Sequence, residues 1–399
     1  MEQPLSALSF DNTEDAFAYK TDKALRKAGW IFSAMHYPWL VKAGSRFIRM
    51  ALKAGLPVTG LIRETLFAQF CGGESLEGAG RTAGKLGQFG VGAALDYGVE
   101  AAEGEENYDR AVPEFIRAIH YASGQPNIPF ISIKITGFSR FGLLEKKHSG
   151  AALSVAEQQE WERIRKRIYA VCKAAASKKT GVLIDAEESW IQQAVDELAD
   201  EMMSTFNQLE PIVYNTFQLY RHDRLSFLEE SFEKSRHAGY ILGAKLVRGA
   251  YLEKERKRAA ALGYPSPIQP DKAATDRDYN QAVRFCIGHL EGLSLFMGTH
   301  NEESCLLGVA QMQEKGLPAS HPHVHFSQLY GMSDNITFNL AKAGFRVSKY
   351  LPYGPVKEVL PYLIRRAQEN TSIAGQTGRE LGLIRKEIRR RKASIVSSQ

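Results

Sequence analysis

Phe130-Ile131-Ser132-Ile133-Lys134-Ile135 sets three isoleucines on one face of an extended segment and Ser132 and Lys134 on the other. Isoleucines turned out against helices over an inward polar layer is the pattern of a barrel strand, although a half-exposed strand of an open sheet alternates in the same way. The flanking sequence decides between them. Short β-rich segments recur at 89–96, 129–136, 182–187, 212–218, 241–248, 295–300, 323–328 and 345–351, each followed by room for a helix. Eight such units predict an α/β protein built on a closed parallel (β/α)8 TIM-type barrel. The gaps after the second and fifth segments are long, which predicts extra helices or lid segments there.

The part before the barrel reads as helical. Stretches 16–32 and 37–54 carry apolar residues at helical spacing with interleaved Lys and Arg. Gly78-Ala79-Gly80-Arg81-Thr82-Ala83 matches a dinucleotide fingerprint in spelling, but it follows no strand and has no βαβ unit around it, so a turn and a helix start is the better reading. The expected organisation is an N-terminal helical arm (1–85), the barrel (86–378) and a basic C-terminal tail (379–399).

Composition narrows the class. The chain has 399 residues, 44% of them hydrophobic, enough for one large core. No long apolar run free of charge suggests a spanning helix. The first residues include Glu2, Asp11, Glu14 and Asp15, unlike a secretory or mitochondrial leader, so a cytosolic chain is expected. Cys71, Cys172, Cys286 and Cys305 are far apart and form no CxxC pair, which suggests neither disulfides nor zinc. Much of the net charge of +6 lies in the run 385–392. A basic terminal helix can bind an anionic membrane or nucleic acid. The run has no aromatics and charge elsewhere is mixed, which argues against nucleic acid, and a solvated tail is the simpler reading.

Polar residues recur at the strand ends: Asp96, Lys134, Asp185, Gln218, Lys245 with Arg248, His300, Gln328 and Tyr350. In a barrel these ends share one face. Buried charge without a partner is costly, so such a ring must be paired or must bind something. At 245–251, KLVRGAY runs from a strand into a loop where Gly249 allows close approach of backbone to a ligand. Alternation puts Lys245 and Arg248 on opposite faces, so Arg248 belongs to the loop, and two cations there suit an anionic cofactor. In GTHNEES (298–304), Asn301 fits a helix N-cap. A last helix is expected from Pro355, with Val356, Val359, Leu360, Leu363 and Ile364 as its apolar stripe. Arg365, Arg366 and Glu369 lie off that stripe. Paired arginines suit a carboxylate or phosphate, although a solvated ion-paired face would look alike. His321, His323 and His325 alternate on a strand with no carboxylate nearby, a weak case for a metal.

Taken together, KLVRGAY (245–251), GTHN (298–301), YLPYG (350–354) and YLIRRAQEN (362–370) resemble the signature blocks of FAD-dependent proline dehydrogenases, as do DYGVE (96–100), SIKIT (132–136) and IDAE (184–187). The likeness is to the monofunctional, eukaryote-like branch. It implies a non-covalent FAD over the barrel mouth, oxidation of L-proline to Δ1-pyrroline-5-carboxylate, and electron delivery to a quinone, hence a peripheral membrane contact. By position, Arg365 and Arg366 would hold the proline carboxylate, and Lys134 would sit by the ring and amine. Asp185 would balance these charges, Tyr350, Leu329 and Tyr251 would wall the ring, and Glu100 would pair with Arg365 as a gate. The resemblance assigns Gln218, Lys245, Val247, Arg248, Gly249, Ala250, Thr275, Thr299, His300, Asn301 and Glu369 to the flavin. Many bacterial members have glutamine directly after the phenylalanine of the seventh strand. Here Ser327 follows Phe326 and Gln328 comes one place later, and Gln328 is taken as the contact. Hydroxyproline dehydrogenase on the same fold is the alternative, and Tyr350, which that branch tends to lack, favours proline.

Overall fold

A computed structural model describes residues 8–54, 56–98, 103–372 and 376–397. Eight parallel strands close into a barrel in chain order. They are β1 (Gly92–Tyr97), β2 (Phe130–Lys134), β3 (Gly181–Asp185), β4 (Val213–Gln218), β5 (Leu242–Val247), β6 (Leu293–Gly298), β7 (Val324–Leu329) and β8 (Val347–Tyr353). Each overlaps one predicted segment. The two long gaps hold paired helices, Phe141–His148 with Val155–Lys178 after β2 and Leu252–Leu262 with Lys272–Gly288 after β5. The glycine-rich stretch near residue 80 lies in the helix Leu76–Gly87, capped by Ser75. The chain forms two compact units, residues 101–327 and residues 1–100 with 328–399.

In the unit 101–327, bulky rings fix the inside of the barrel. The ring of Phe130 on β2 lies 5.6 Å from that of Tyr214 on β4 and 5.1 Å from that of Phe296 on β6. These strands are not neighbours, so their side chains meet only through the interior. His325 on β7 stacks on Phe296 at 5.4 Å. Glycines make the room: a Cβ on Gly243 would stand 2.1 Å from the Val213 carbonyl oxygen, and one on Gly181 2.3 Å from the Phe130 ring. The period of two then carries Ser132 and Lys134, Asp185, Thr216 and Gln218, Lys245, and Ser327 to that same interior side. The isoleucines of β2 face the helices, as their alternation predicts.

The other unit has its own core, in which Phe17, Leu25, Phe32 and Phe70 of the N-terminal helices pack with Val359, Leu363 and Ile384. The basic C-terminal stretch is not a solvated tail. It is the helix Gln376–Ser397, docked on the helix Asp22–Met35 so closely that a Cβ on Gly29 would lie 3.2 Å from Ile384. Its charges are used in docking. Glu387, fully buried, accepts from Thr13 Oγ1 at 3.0 Å and from Arg390 and Arg391. Arg391 also donates to the carbonyls of Phe17 and Lys20 and pairs with Asp22, and Arg379 pairs with Asp11. Burial of Leu383 and Ile384, and of Glu387 one turn on, was hidden by the arginines that follow them.

The last barrel helix starts later than expected. Pro355–Val359 makes a single turn, and the helix runs Leu360–Ser372. Pro361 has no N–H to bond to the preceding turn, which separates the two pieces. Val356, Val359, Leu360, Leu363 and Ile364 are buried all the same. Because Ile384 is sealed in this core, Ile384→Ala should lower unfolding stability by about 2–5 kcal/mol in urea titration. A C-terminal segment free in solvent would show almost no change.

Candidate active site

Four interior polar side chains stand at the C-terminal ends of β2 to β5: Lys134, Asp185, Gln218 and Lys245. Register places Lys134 beside Asp185. Lys245 Nζ reaches Asp185 Oδ1 at 2.5 Å across the intervening strand, with side chains 7% and 14% exposed. A charge pair this dry holds only where each partner satisfies the other. Gln218 is buried beside it, and its Oε1 meets no donor among the described residues. Buried amide oxygens are rarely left so, and the position asks for an N–H or O–H from a ligand.

The loop after β5 is shaped around the same rim. Gly249 has φ +136°, and a Cβ there would lie 2.5 Å from the Tyr220 ring. Backbone bonds from Leu219 N to the Val247 carbonyl and from Tyr220 N to the Arg248 carbonyl fix the turn. Val247 ends β5, while Gly249 and Ala250 are exposed and Tyr251 is half-buried. Arg248 is held by Asp276 Oδ1 at 2.7 Å, Thr299 Oγ1 at 2.7 Å and Ser304 Oγ at 3.0 Å, with its guanidinium 4.4 Å from the Tyr279 ring centre. Asn301 caps the helix Glu302–Glu314 by accepting from Ser304 N at 2.8 Å. Thr275, buried, bonds back to the Asp271 carbonyl, and His300 is half-buried just past β6.

In the other unit, Asp96 on β1 and Tyr350 on β8 are buried, and Leu329 ends β7 half-buried. Arg365 and Arg366 are half-buried on the helix Leu360–Ser372, and the Arg366 guanidinium lies over the Tyr362 ring at 5.3 Å. Glu100 and the side chain of Glu369 lie outside the described residues. Gln328 is placed differently from expectation. Its Oε1 accepts from Thr337 Oγ1 at 2.8 Å on the helix Asp334–Lys342. Alternation from His325 puts Ser327 and Leu329 on the interior side and Gln328 on the opposite one, so Ser327 replaces it as the β7 candidate. Among the described residues no three His, Cys, Asp or Glu side chains converge on a metal position. His323 bonds to the Leu290 carbonyl, and His325 is part of the aromatic floor.

Sequence reading did not pair the groups that hold the rim. Asp276, Tyr279 and Ser304 fix Arg248 from up to 56 residues away. Asp276 and Tyr279 sit beside Thr275, so the segment was visible but the partner was not. Glu187 accepts from Thr136 Oγ1 at 2.8 Å and from its N–H. Burial pushes its carboxyl up to about 7, against pulls downward from Thr136 and Lys134. Glu255, fully buried, accepts from both N and Oγ of Ser189, tying the loop after β5 to that after β3.

The family model described as proline dehydrogenase matches residues 79–379. A carbapenem antibiotics biosynthesis protein, CarD, of Pectobacterium carotovorum is 37% identical, covering 81% of this chain and 83% of that one. Proline dehydrogenase 2, mitochondrial, of Arabidopsis thaliana is 32% identical over 83% of this chain and 79% of its own. Hydroxyproline dehydrogenase of Xenopus laevis is 32% identical over 98% and 91%. Proline utilization A from Bdellovibrio bacteriovorus has the same fold, with a TM-score of 0.72 at 19% identity over 96% of this chain, which spans 42% of the length of that solved chain.

The Glu187 carboxyl gives a pH signature. Its folded value lies above the ordinary 4.5, so its contribution to stability is complete below about 4.5 and is lost as pH rises through about 7. Glu187→Gln should therefore gain stability relative to the wild type across that window, read as melting temperature against pH. A difference that stays constant with pH would contradict this burial.

Proposed function

The chain belongs to the proline dehydrogenase family of oxidoreductases, and from that premise we propose that it oxidises L-proline to Δ1-pyrroline-5-carboxylate with FAD as the electron acceptor. The observation that carries the reading beyond the family is the interior layer Lys134–Asp185–Gln218–Lys245, with a buried amide oxygen that meets no donor among the described residues. An isoalloxazine ring carries an N–H of the kind that Gln218 lacks, and cations at Lys245 and Arg248 suit its electron-rich edge and its phosphates. When bound, the flavin supplies the two-electron sink that side chains do not.

The protein's part is binding and proton control. Arg365 and Arg366 take the proline carboxylate, since two guanidinium forks fix both position and orientation. Tyr350, Leu329 and Tyr251 wall the ring. Oxidation removes a hydride from the ring carbon next to nitrogen and the remaining N–H proton goes to solvent, leaving a C=N bond. The amine must be neutral for this, and the ammonium of Lys134 favours that form by disfavouring a second positive charge. Asp185 holds Lys245 in place through their ion pair. Val247, Gly249, Ala250, Thr275, Thr299, His300 and Asn301 form the rim that faces the cofactor, with Ser327 in the place first given to Gln328. Electron delivery to a quinone from the cytosolic side of a membrane completes the reading. Among the described residues no helix is long and apolar enough to cross one.

The likeness to a hydroxyproline dehydrogenase favours one second reading, in which the substrate carries a hydroxyl. Tyr350 supports proline, because the resemblance implies that the hydroxyproline branch tends to lack a tyrosine at this position. Comparing kcat/KM for the two substrates separates the readings. Purified protein should show a flavin spectrum that proline bleaches without oxygen, and a colourless preparation that takes up no FAD would end the proposal. Arg365→Met and Arg366→Met should each raise KM for proline by at least about tenfold, the scale of one charge-assisted contact. An unchanged KM in both would remove the carboxylate clamp.

A further inference from the structure

Helices near the N-terminus expose an unusual apolar face. Trp30, Tyr37, Trp39, Phe47 and Met50 are each more than half exposed, and Leu40 lies among them. In the helix Pro38–Lys53, residues 39, 40, 43, 47 and 50 form one outward stripe. The inner stripe, with Val41 and Ile48, packs on the core of this unit. The outward stripe is therefore held in place by a buried one and is not a loose end. Scattered single apolar residues on a surface need no explanation, but a contiguous aromatic patch does.

Charge says what covers it. Between Asp22 and Glu64 the sequence has four lysines, four arginines and no Asp or Glu. Lys42 and Arg46 are exposed one helical turn apart beside the apolar stripe, and Arg49 and Lys53 continue that spacing in the sequence. Among the described residues, the ion pairs of this region lie at its edge, where Lys27 pairs with Glu64 and Arg63 with Glu74. A second copy of the chain on the same face would bring this positive field against itself. The basic C-terminal helix is a poorer candidate, because Arg379, Arg390 and Arg391 are spent on Asp11, Glu14, Asp22 and Glu387.

We propose that the outward face of the helix Pro38–Lys53, with Trp30 and Tyr37, is a docking surface for an anionic lipid bilayer. Tryptophan and tyrosine rings settle at the depth of the headgroups, apolar side chains reach the acyl boundary, and the flanking cations meet lipid phosphates. The surface deepens the membrane contact of the proposed quinone reading, and its lipid binding can be measured without substrate turnover.

The test is flotation of the full chain with phosphatidylcholine vesicles, with and without phosphatidylglycerol. Co-flotation is expected only with the anionic lipid and should weaken as salt is raised. Tryptophan emission should shift to the blue on binding, reporting on Trp30 and Trp39 because Trp161 and Trp190 are buried. Trp39→Asp with Phe47→Asp, and separately Lys42→Glu with Arg46→Glu, should each reduce binding at least about tenfold with unchanged melting temperature. Arg385→Glu with Arg389→Glu, exposed on the C-terminal helix, should bind as the wild type does. Arg366→Met should also bind normally, which separates this surface from the substrate reading. Equal binding to neutral vesicles would overturn the proposal. So would retained binding in both of the first two variants, or a lipid-free dimer that Trp39→Asp with Phe47→Asp converts to monomer.

Discussion

An ion pair at the top of the barrel interior, Lys245 to Asp185, is the constraint on which the rest of this site depends. Two charges taken out of water gain little stability as a pair, and apolar residues of the same volume would serve the fold as well or better. Their neighbours make the same point. Lys134 and Gln218 occupy positions that a purely structural barrel would fill with branched aliphatics, and the Gln218 amide oxygen meets no donor among the described residues. The lower interior is built for stability instead, with Phe130, Tyr214, Phe296 and His325 packed where Gly181 and Gly243 leave room. One barrel thus has an apolar floor and a polar upper layer. The polar layer is held in register by strands whose outward isoleucines bind it to the helices.

Much of this was legible because strand periodicity is strict. The alternation in Phe130–Ile135 correctly separates the interior Lys134 from the outward isoleucines, and repetition of such segments gives the barrel. The same rule, applied to β7, gives Gln328 the opposite parity from His325, and its amide oxygen accepts from Thr337. What escaped was long-range. Asp276, Tyr279 and Ser304 converge on Arg248 only after two helices have folded back, and no spacing in the sequence announces that. The C-terminal helix escaped for another reason. Its arginines dominate composition, whereas its fate is set by Leu381, Leu383, Ile384 and a buried Glu387.

The unit formed by the two chain ends carries a second buried charge cluster. Lys349 has no exposure and meets Asp334 at 2.9 Å and the Met332 carbonyl at 2.5 Å, while Tyr19 donates to Asp334 at 2.8 Å. Lys20 adds to it from the N-terminal helices, and Glu380 on the C-terminal helix accepts from Ser333 N. Burial raises the Glu380 carboxyl to about 7. The cluster joins segments from both ends of the chain to β8, so the helices at the termini are part of the framework that carries Tyr350, Arg365 and Arg366.

If the polar layer exists to hold a ligand, its removal must separate binding from folding. The direct measurement is FAD affinity and melting temperature of Lys245→Met combined with Asp185→Leu, set against the wild type. The account predicts that flavin binding falls by at least about tenfold while the ligand-free protein melts at the same temperature or higher. Unchanged flavin affinity with a large loss of stability would show that the pair serves the fold and not the ligand.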